Sequence, residues 1–125
     1  MRRNFTNRII EHRVVDDHLE RQVTLPNGRS YMHRCSKKVF QDVAYYLLEH
    51  PTRALTMSSV ASAIDAPFTQ VNVALELLKE RGILETRRRL SYVGECYRDV
   101  VYEHAMVEFL ALEAGQPPRV VVSGQ

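Results

Sequence analysis

Three consecutive arginines, Arg87-Arg88-Arg89, form a short run of positive charge, and Lys79 and Arg81 precede it closely. Cations grouped in this way can neutralise the phosphates of a nucleic acid and dominate the affinity for it. The alternative is a solvated strand in which Arg88 points away from its two neighbours. Charge alone does not decide between these two interpretations.

Residues that could bind a metal are scattered along the chain: His12, His18, His33, Cys35, Cys96 and His104. None of them forms the close Cys-x-x-Cys pairs that are typical of zinc sites. His33 and Cys35 together offer too few ligands for a site. We therefore predict that the chain holds no metal and no cofactor, and that Cys96 is a structural thiol.

Sequence motifs of enzymes are missing as well. The chain has no phosphate-binding glycine loop, no Gly-x-Ser-x-Gly elbow and no His-Glu-x-x-His. Asp16-Asp17-His18 combines acids with a base, but adjacent residues seldom converge on one reacting atom, and the stretch is typical of a turn. We predict that the protein is not an enzyme.

The overall composition is that of an ordinary globular protein, with 45% apolar and 26% charged residues among 125. No apolar run approaches the roughly 20 residues needed to cross a bilayer, so we expect no membrane association. The N-terminus lacks the apolar core of a secretory signal, and two cysteines suit a reducing compartment. The expected location is the cytoplasm.

Positive charge is concentrated at the start of the chain. Residues 1–38 contain nine Lys or Arg against four Asp or Glu, whereas residues 99–125 contain one against four. A basic segment suits a polyanionic partner, although a solvated surface explains it equally well.

Apolar periodicity and capping signals predict three successive helices. The first runs from the N-cap Ser36 to Pro51, and its apolar stripe should face the core. The second begins at Thr56, which can cap the amides that follow it. The third begins at Pro67 and ends at Gly82, a residue typical of helix C-termini.

The stretch from Ala63 to Leu84 resembles the helix-turn-helix of winged-helix bacterial regulators of the ArsR and MarR type. The resemblance is carried by the small residue before the turn, the Val-x-x-x-Leu-x-x-Leu spacing that begins at Val71, and the closing Gly-Ile-Leu. It implies a winged helix-turn-helix domain in which the three arginines lie in the wing, a β-hairpin against the DNA backbone. Because the wing segment lacks an Asn-Gly or Asp-Gly turn, we expect a short wing or a single strand.

The resemblance also implies that the third helix enters the major groove of DNA. The residues expected to contact DNA, from this helix and from the wing, are Thr69, Gln70, Asn72, Val73, Arg87, Arg88 and Arg89. Gln70 and Asn72 carry amides that can pair with adenine edges. Glu76 is the main objection, since members of the family often have a basic residue there and a carboxylate repels phosphate.

A long C-terminal helix is predicted from about Tyr97 to Ala114. Its apolar residues cover most of its circumference, so it should be buried on more than one side. We expect the second surface to be another copy of the chain, which would make a homodimer. The dimer contacts would then be Val101, Ala105, Phe109 and Leu112. The alternative is that this helix packs between the three-helix core and the N-terminal segment of its own chain.

These observations predict a mainly α fold with a small β component. Its parts are a basic N-terminal extension with a β-hairpin (1–35), a winged helix-turn-helix domain with a three-helix core and a short wing (36–94), a C-terminal helix (95–115) and a flexible tail (116–125). The hairpin is expected around Asn27-Gly28, a dipeptide that favours tight turns between strands.

The predicted function is a DNA-binding transcriptional regulator that contacts duplex DNA through the third helix and the arginine-rich wing. The alternative is a protein-protein interaction module, or adaptor, on the same scaffold without sequence-specific DNA binding. Glu76 favours the adaptor, as do Phe68 and Val73, which we expect to be exposed, since an exposed apolar cluster suits a protein better than a phosphate.

Overall fold

A computed structural model describes residues 8–50, 55–88, 91–93, 101–115 and 120–123 of the chain. Within these residues the β-strands are β1 (Arg8–Val15), β2 (His18–Thr24), β3 (Ser30–Ser36), β4 (Leu55–Thr56), β5 (Glu85–Arg88), β6 (Ser91–Val93) and β7 (Val120–Ser123). The α-helices are α1 (Lys37–Glu49), α2 (Met57–Ile64), α3 (Phe68–Glu80) and α4 (Val101–Glu113).

The larger sheet has four antiparallel strands in the order β3-β2-β1-β7. Asp16 and Asp17 join β1 to β2, as the sequence predicted, and both adopt left-handed backbone with φ of 50° and 63°. Asp tolerates this conformation, which a two-residue hairpin turn requires. Gly28, with φ of 89°, lies in the turn between β2 and β3, where a side chain would be strained.

The smaller sheet has the order β4-β6-β5. β5 and β6 pair antiparallel, with an irregularity between Thr86 and Arg88. The segment predicted to form a wing therefore contains two paired strands rather than one.

The three predicted helices are confirmed, as are the caps at Ser36 and Thr56. Pro51, predicted to end the first helix, is outside the described residues, and Pro67 directly precedes α3. Ser36 Oγ accepts a hydrogen bond from the amide of Val39 at 3.1 Å. Thr56 Oγ1 accepts from the amide of Ser59, and the Ser59 hydroxyl accepts from the amide of Thr56, both at 3.0 Å, which completes a capping box. Gly82 follows α3 with φ of 79°, as expected of a helix-ending glycine.

The core is built around α3, which packs against α1 and α2 on one side and against β2 and β3 on the other. Its buried residues are Val71, Val73, Ala74, Leu75, Leu77 and Leu78. α4 closes the core by packing on α1 and β1, and the Phe109 ring lies 5.1 Å from the Phe40 ring. No helix in the described ranges has the length and apolarity that a bilayer crossing requires.

The prediction of a mainly α fold is wrong, because the four-stranded sheet makes this an α+β structure. The N-terminal segment is also not an extension, since Leu19, Val23 and Cys35 on its strands are buried in the structure. The sheet depends on pairing between opposite ends of the chain, as between Ile9 and Val122. Local sequence signals do not reveal such distant partners.

The tail was predicted to be flexible, but residues 120–123 within it form β7. β7 adds an edge strand beside β1. The backbone amides and carbonyls of β7 that face β1 therefore pair with a strand instead of with water.

The assignment of α4 residues to a dimer interface is wrong for the four positions named. Val101, Ala105, Phe109 and Leu112 are at most 3% exposed, because they face the core of their own chain. The alternative, in which α4 packs between the helical core and the N-terminal segment, is confirmed by its contacts with α1 and β1. Val107 and Leu110 are the large apolar residues that α4 exposes.

Replacing Phe109 by Ala should lower the free energy of unfolding by about 3–5 kcal/mol, because the fully buried ring leaves a cavity against Phe40. Val107→Ala on the exposed face of α4 is the matched control and should change it by less than about 0.5 kcal/mol. Urea denaturation measures both variants. Equal costs would contradict the assignment of the buried face.

Candidate functional site

Three basic residues form a row across the inner face of the larger sheet. His12 on β1 is paired with Arg21 on β2, and Arg21 is paired with His33 on β3. Residues in register share a face of the sheet, and this face packs on α3. α3 in turn presents Glu76 and Glu80, which lie one helical turn apart. The result is a polar layer inside a largely apolar interface.

Arg21 occupies the middle of this layer and is 5% exposed. Its Nη1 donates to Glu76 Oε1 at 2.7 Å, and its Nη2 lies 3.2 Å from His33 Nδ1. Because a guanidinium has donors and no acceptor, His33 Nδ1 is the acceptor of this hydrogen bond. Arg21 therefore joins α3 and β3 to β2.

His12 and Arg81 extend the layer to α4. His12 Nδ1 donates to Glu80 Oε1 at 3.1 Å, and Arg81 Nε donates to Glu80 Oε2 at 3.3 Å. Arg81 Nη1 also donates to Glu108 Oε1 at 2.6 Å. These bonds connect β1, the C-terminal end of α3 and α4. Removing one partner while the sheet stays on α3 would leave a buried charge unpaired, which is costly.

The surroundings of Glu80 favour its charged carboxylate over the protonated acid. Burial raises the pKa of Glu80, but the hydrogen bonds and charges of His12 and Arg81 outweigh this effect, so the pKa lies below its ordinary value. A lowered pKa in the folded state means that Glu80 stabilises the fold above the ordinary pKa. This contribution is lost as the pH falls through the lowered value.

The third-helix residues predicted to contact DNA are mostly engaged within the chain. Val73 is fully buried, so its predicted exposure is wrong; the reason is that α3 is covered on two sides. Gln70 Oε1 accepts a hydrogen bond from the amide of Ser36 at 2.9 Å. Asn72 is half-buried and its Oδ1 is buried. Thr69 is exposed, at the beginning of the helix.

Two of the other predicted DNA contacts lie on a strand of the smaller sheet. Arg87 and Arg88 lie in β5, whereas Arg89 is outside the described residues. β5 pairs with β6, so Arg87 and Arg88 lie on one of two paired strands. Contact of these arginines with DNA stays a prediction.

Cys35 is a buried thiol on the inner face of β3. Burial raises its pKa to about 12, so its reactive thiolate form is scarce at neutral pH. Cys96 is outside the described residues. In the part of the chain that the structure describes, no group of three or more His, Cys, Asp or Glu is placed to hold a metal ion.

A surface groove of about 280 Å³ lies between α1 and α2, away from the polar layer. It is lined by Asp42, Tyr45, Tyr46, Glu49, Ala63 and Ile64. The four α1 residues follow the spacing i, i+3, i+4 and i+7, which places them on one face of the helix. We call this site the α1–α2 groove.

Sequence reasoning missed both the polar layer and the α1–α2 groove. The sequence contained a signal for the polar layer. His12 is two residues from Ile10, and Arg21 is two residues from Leu19, so each shares the core-facing side of its strand with an apolar residue. A charge at such a position needs a buried partner. The sequence also contained a signal for one wall of the groove, since Asp42, Tyr45, Tyr46 and Glu49 have helical spacing. The opposite wall, Ala63 and Ile64, is placed there only by the packing of α2 on α1.

Comparison with models of known families, with curated proteins and with solved structures finds no match for this chain. The resemblance to ArsR and MarR regulators therefore stays a prediction from the residues quoted above.

Substituting Glu80 by Gln should reduce the pH dependence of stability on the acid side. The wild type should lose more of its free energy of unfolding than Glu80→Gln when the pH is lowered from 7 to below the ordinary Glu pKa of about 4.3, because only the wild type loses a favoured carboxylate. Urea denaturation at both pH values measures this. Glu49→Gln on exposed α1 surface is the control, and an equal effect from it would contradict the role of Glu80.

Substituting Glu76 by Gln should lower the free energy of unfolding by about 1–2 kcal/mol, because the buried guanidinium of Arg21 loses an ionic acceptor. The side chain of Glu76 is 31% exposed, so water offsets part of the loss. Lys79→Gln, an exposed position on the same helix, should have little effect. A Glu76→Gln protein as stable as the wild type would show that the ion pair does not hold the sheet to α3.

Proposed function

We propose that this chain is a protein-interaction module, an adaptor without catalytic activity, and that α3 does not read DNA. The observation that carries the proposal is the covering of α3 by its own sheet. The helix that would enter the major groove is a core helix here, and its Gln70, Glu76 and Glu80 side chains bond to other parts of the chain.

Freeing α3 for a DNA groove would be costly. The sheet would have to leave, which would break the Arg21–Glu76 ion pair and expose Leu19, Val23 and Cys35. Exposing one fully buried Leu or Val side chain alone costs about 1.5–3 kcal/mol. Glu76 and Glu80 would then face phosphates with the same sign of charge. These terms oppose DNA reading by α3.

Large apolar side chains at the surface support binding to proteins. Tyr45, Phe68, Val107 and Leu110 are each at least 46% exposed. Aromatic and apolar residues are enriched at the centres of protein interfaces. Should the chain form the homodimer predicted above, Val107 and Leu110 are the α4 residues with surface free for it.

Duplex DNA binding through the wing is the second candidate. The β5–β6 hairpin favours it, because Arg87 and Arg88 occur there and the helices α1 to α3 precede it in the order that the resemblance implies. Such binding would rest on phosphate contacts without base reading by α3.

For either candidate we propose a cytoplasmic location, which the low number of cysteines, two in 125 residues, supports.

Titration of a labelled random duplex, followed by fluorescence anisotropy at several salt concentrations, tests this choice. We expect no binding or weak binding, and we expect Thr69→Glu to change it no more than Ser30→Glu does. Thr69 is exposed on α3, and Ser30 is an exposed control on β3. A carboxylate in a groove-reading helix would repel phosphate, whereas one remote from DNA would not.

Two results would change the assignment. A loss of binding specific to Thr69→Glu would overturn the proposal, since α3 would then lie against the duplex. Binding that is weakened across all sequences in the Arg87→Ala, Arg88→Ala, Arg89→Ala triple variant, with a flatter salt dependence, would establish the wing as a phosphate-binding site.

A further inference from the structure

The aromatic rings of the α1–α2 groove are held in place by neighbours outside it. Tyr45 packs edge-on against Tyr102 of α4, with ring centroids 6.3 Å apart and planes at 88°. Tyr46 stacks on His50 at 4.1 Å, and His50 Nδ1 lies 2.8 Å from the Tyr46 carbonyl oxygen, to which it donates. Tyr45 is nevertheless 54% exposed. The rings are therefore positioned before any partner arrives, which reduces the entropy lost on binding.

Carboxylates lie at both ends of this aromatic stripe. Asp42 accepts from Lys38 Nζ at 2.8 Å, but the Lys38 side chain is 82% exposed, and a surface pair of this kind is weak and easily replaced. Glu49 is exposed and makes no hydrogen bond or ion pair with the residues that the structure describes. The opposite wall, α2, contains no charged residue. The groove is thus negative in charge.

The size and lining of the groove match one kind of side chain. A volume of about 280 Å³ lies at the small end of ligand sites and suits one or two side chains. Ala63 and Ile64 offer an apolar wall for an aliphatic stem, the tyrosine rings attract a cation, and the carboxylates accept its hydrogen bonds. Arginine and lysine combine such a stem with such a head.

We propose that the α1–α2 groove binds an arginine or lysine side chain of a partner polypeptide. The proposal rests on the protein-interaction function proposed above and assigns its site and the chemistry of its partner. Charge complementarity selects this occupant, since Asp42 and Glu49 repel nucleic acid and acidic peptides.

NMR titration with a capped peptide, Ala-Arg-Leu-Arg-Ala, tests the proposal on the full chain. We expect amide shifts to cluster in residues 42–49 and 63–64. The same peptide with citrulline in place of arginine should bind about tenfold more weakly, because it keeps the shape and loses the charge.

Variants of the protein provide matched controls. Asp42→Asn combined with Glu49→Gln should weaken binding of the arginine peptide about tenfold, and Tyr45→Leu about threefold. Glu11→Gln combined with Glu113→Gln removes the same net charge outside the groove and should change affinity by less than about twofold. All substituted side chains are at least partly exposed, so the fold should be retained.

Several outcomes would overturn the groove assignment: equal affinity for the citrulline peptide, shifts that cluster on another surface, or no shifts at millimolar peptide. The DNA titration separates these failures from failure of the proposed function. Without DNA reading by α3, such outcomes exclude the groove alone. If the chain binds DNA and Thr69→Glu abolishes that binding, the same peptide results exclude both the groove assignment and the protein-interaction function.

Discussion

The ion pair between Arg21 and Glu76 joins the larger sheet to α3, and the places of the surrounding elements depend on it. A guanidinium stays charged at all ordinary pH values, so a nearly buried arginine requires acceptors at fixed positions. Glu76 and His33 provide them. Since β1 and β3 flank β2, fixing Arg21 also fixes the strands that carry His12 and Cys35.

Apolar burial holds this arrangement together, and the polar layer gives it a defined register. Leu19 and Val23 on β2 face the core on either side of Arg21. A shift of one residue along the strand would move all three to the outer face of the sheet. The same layer reaches α4 through Glu80 and Arg81. Ion pairs and hydrogen bonds therefore link the sheet, α3 and α4, and breaking any one of them would leave its buried partner unpaired.

This packing buries the helix that resembles a DNA-reading helix. α3 has the caps, length and apolar spacing that the sequence indicates, but it lies between two layers instead of at the surface. The surfaces with binding chemistry are instead the outer face of α1, where Asp42 and Glu49 flank two tyrosines, and the hairpin of the smaller sheet. Binding chemistry can therefore reside on α1, on the opposite side of the helical layer from the sheet.

The sequence by itself determined the local structure of this protein. Ser36, Thr56 and Gly82 mark helix ends, and Asp16-Asp17 marks a turn, because each acts through bonds or backbone angles within a few residues. The dipeptide Asn27-Gly28 likewise predicted the turn between β2 and β3. These features need no distant partner, and they are present at the predicted places.

Tertiary structure alone decided the burial of α3, the pairing of β1 with β7 and the second wall of the α1–α2 groove. Val73 has the same local spacing whether its helix is exposed or covered, so the sequence pattern could not show that a sheet lies against it. The four apolar α4 residues from Val101 to Leu112 were equally compatible with a dimer or with their own core. Burial depends on which remote surfaces meet, and that is set by the summed packing and charge pairing of the whole chain.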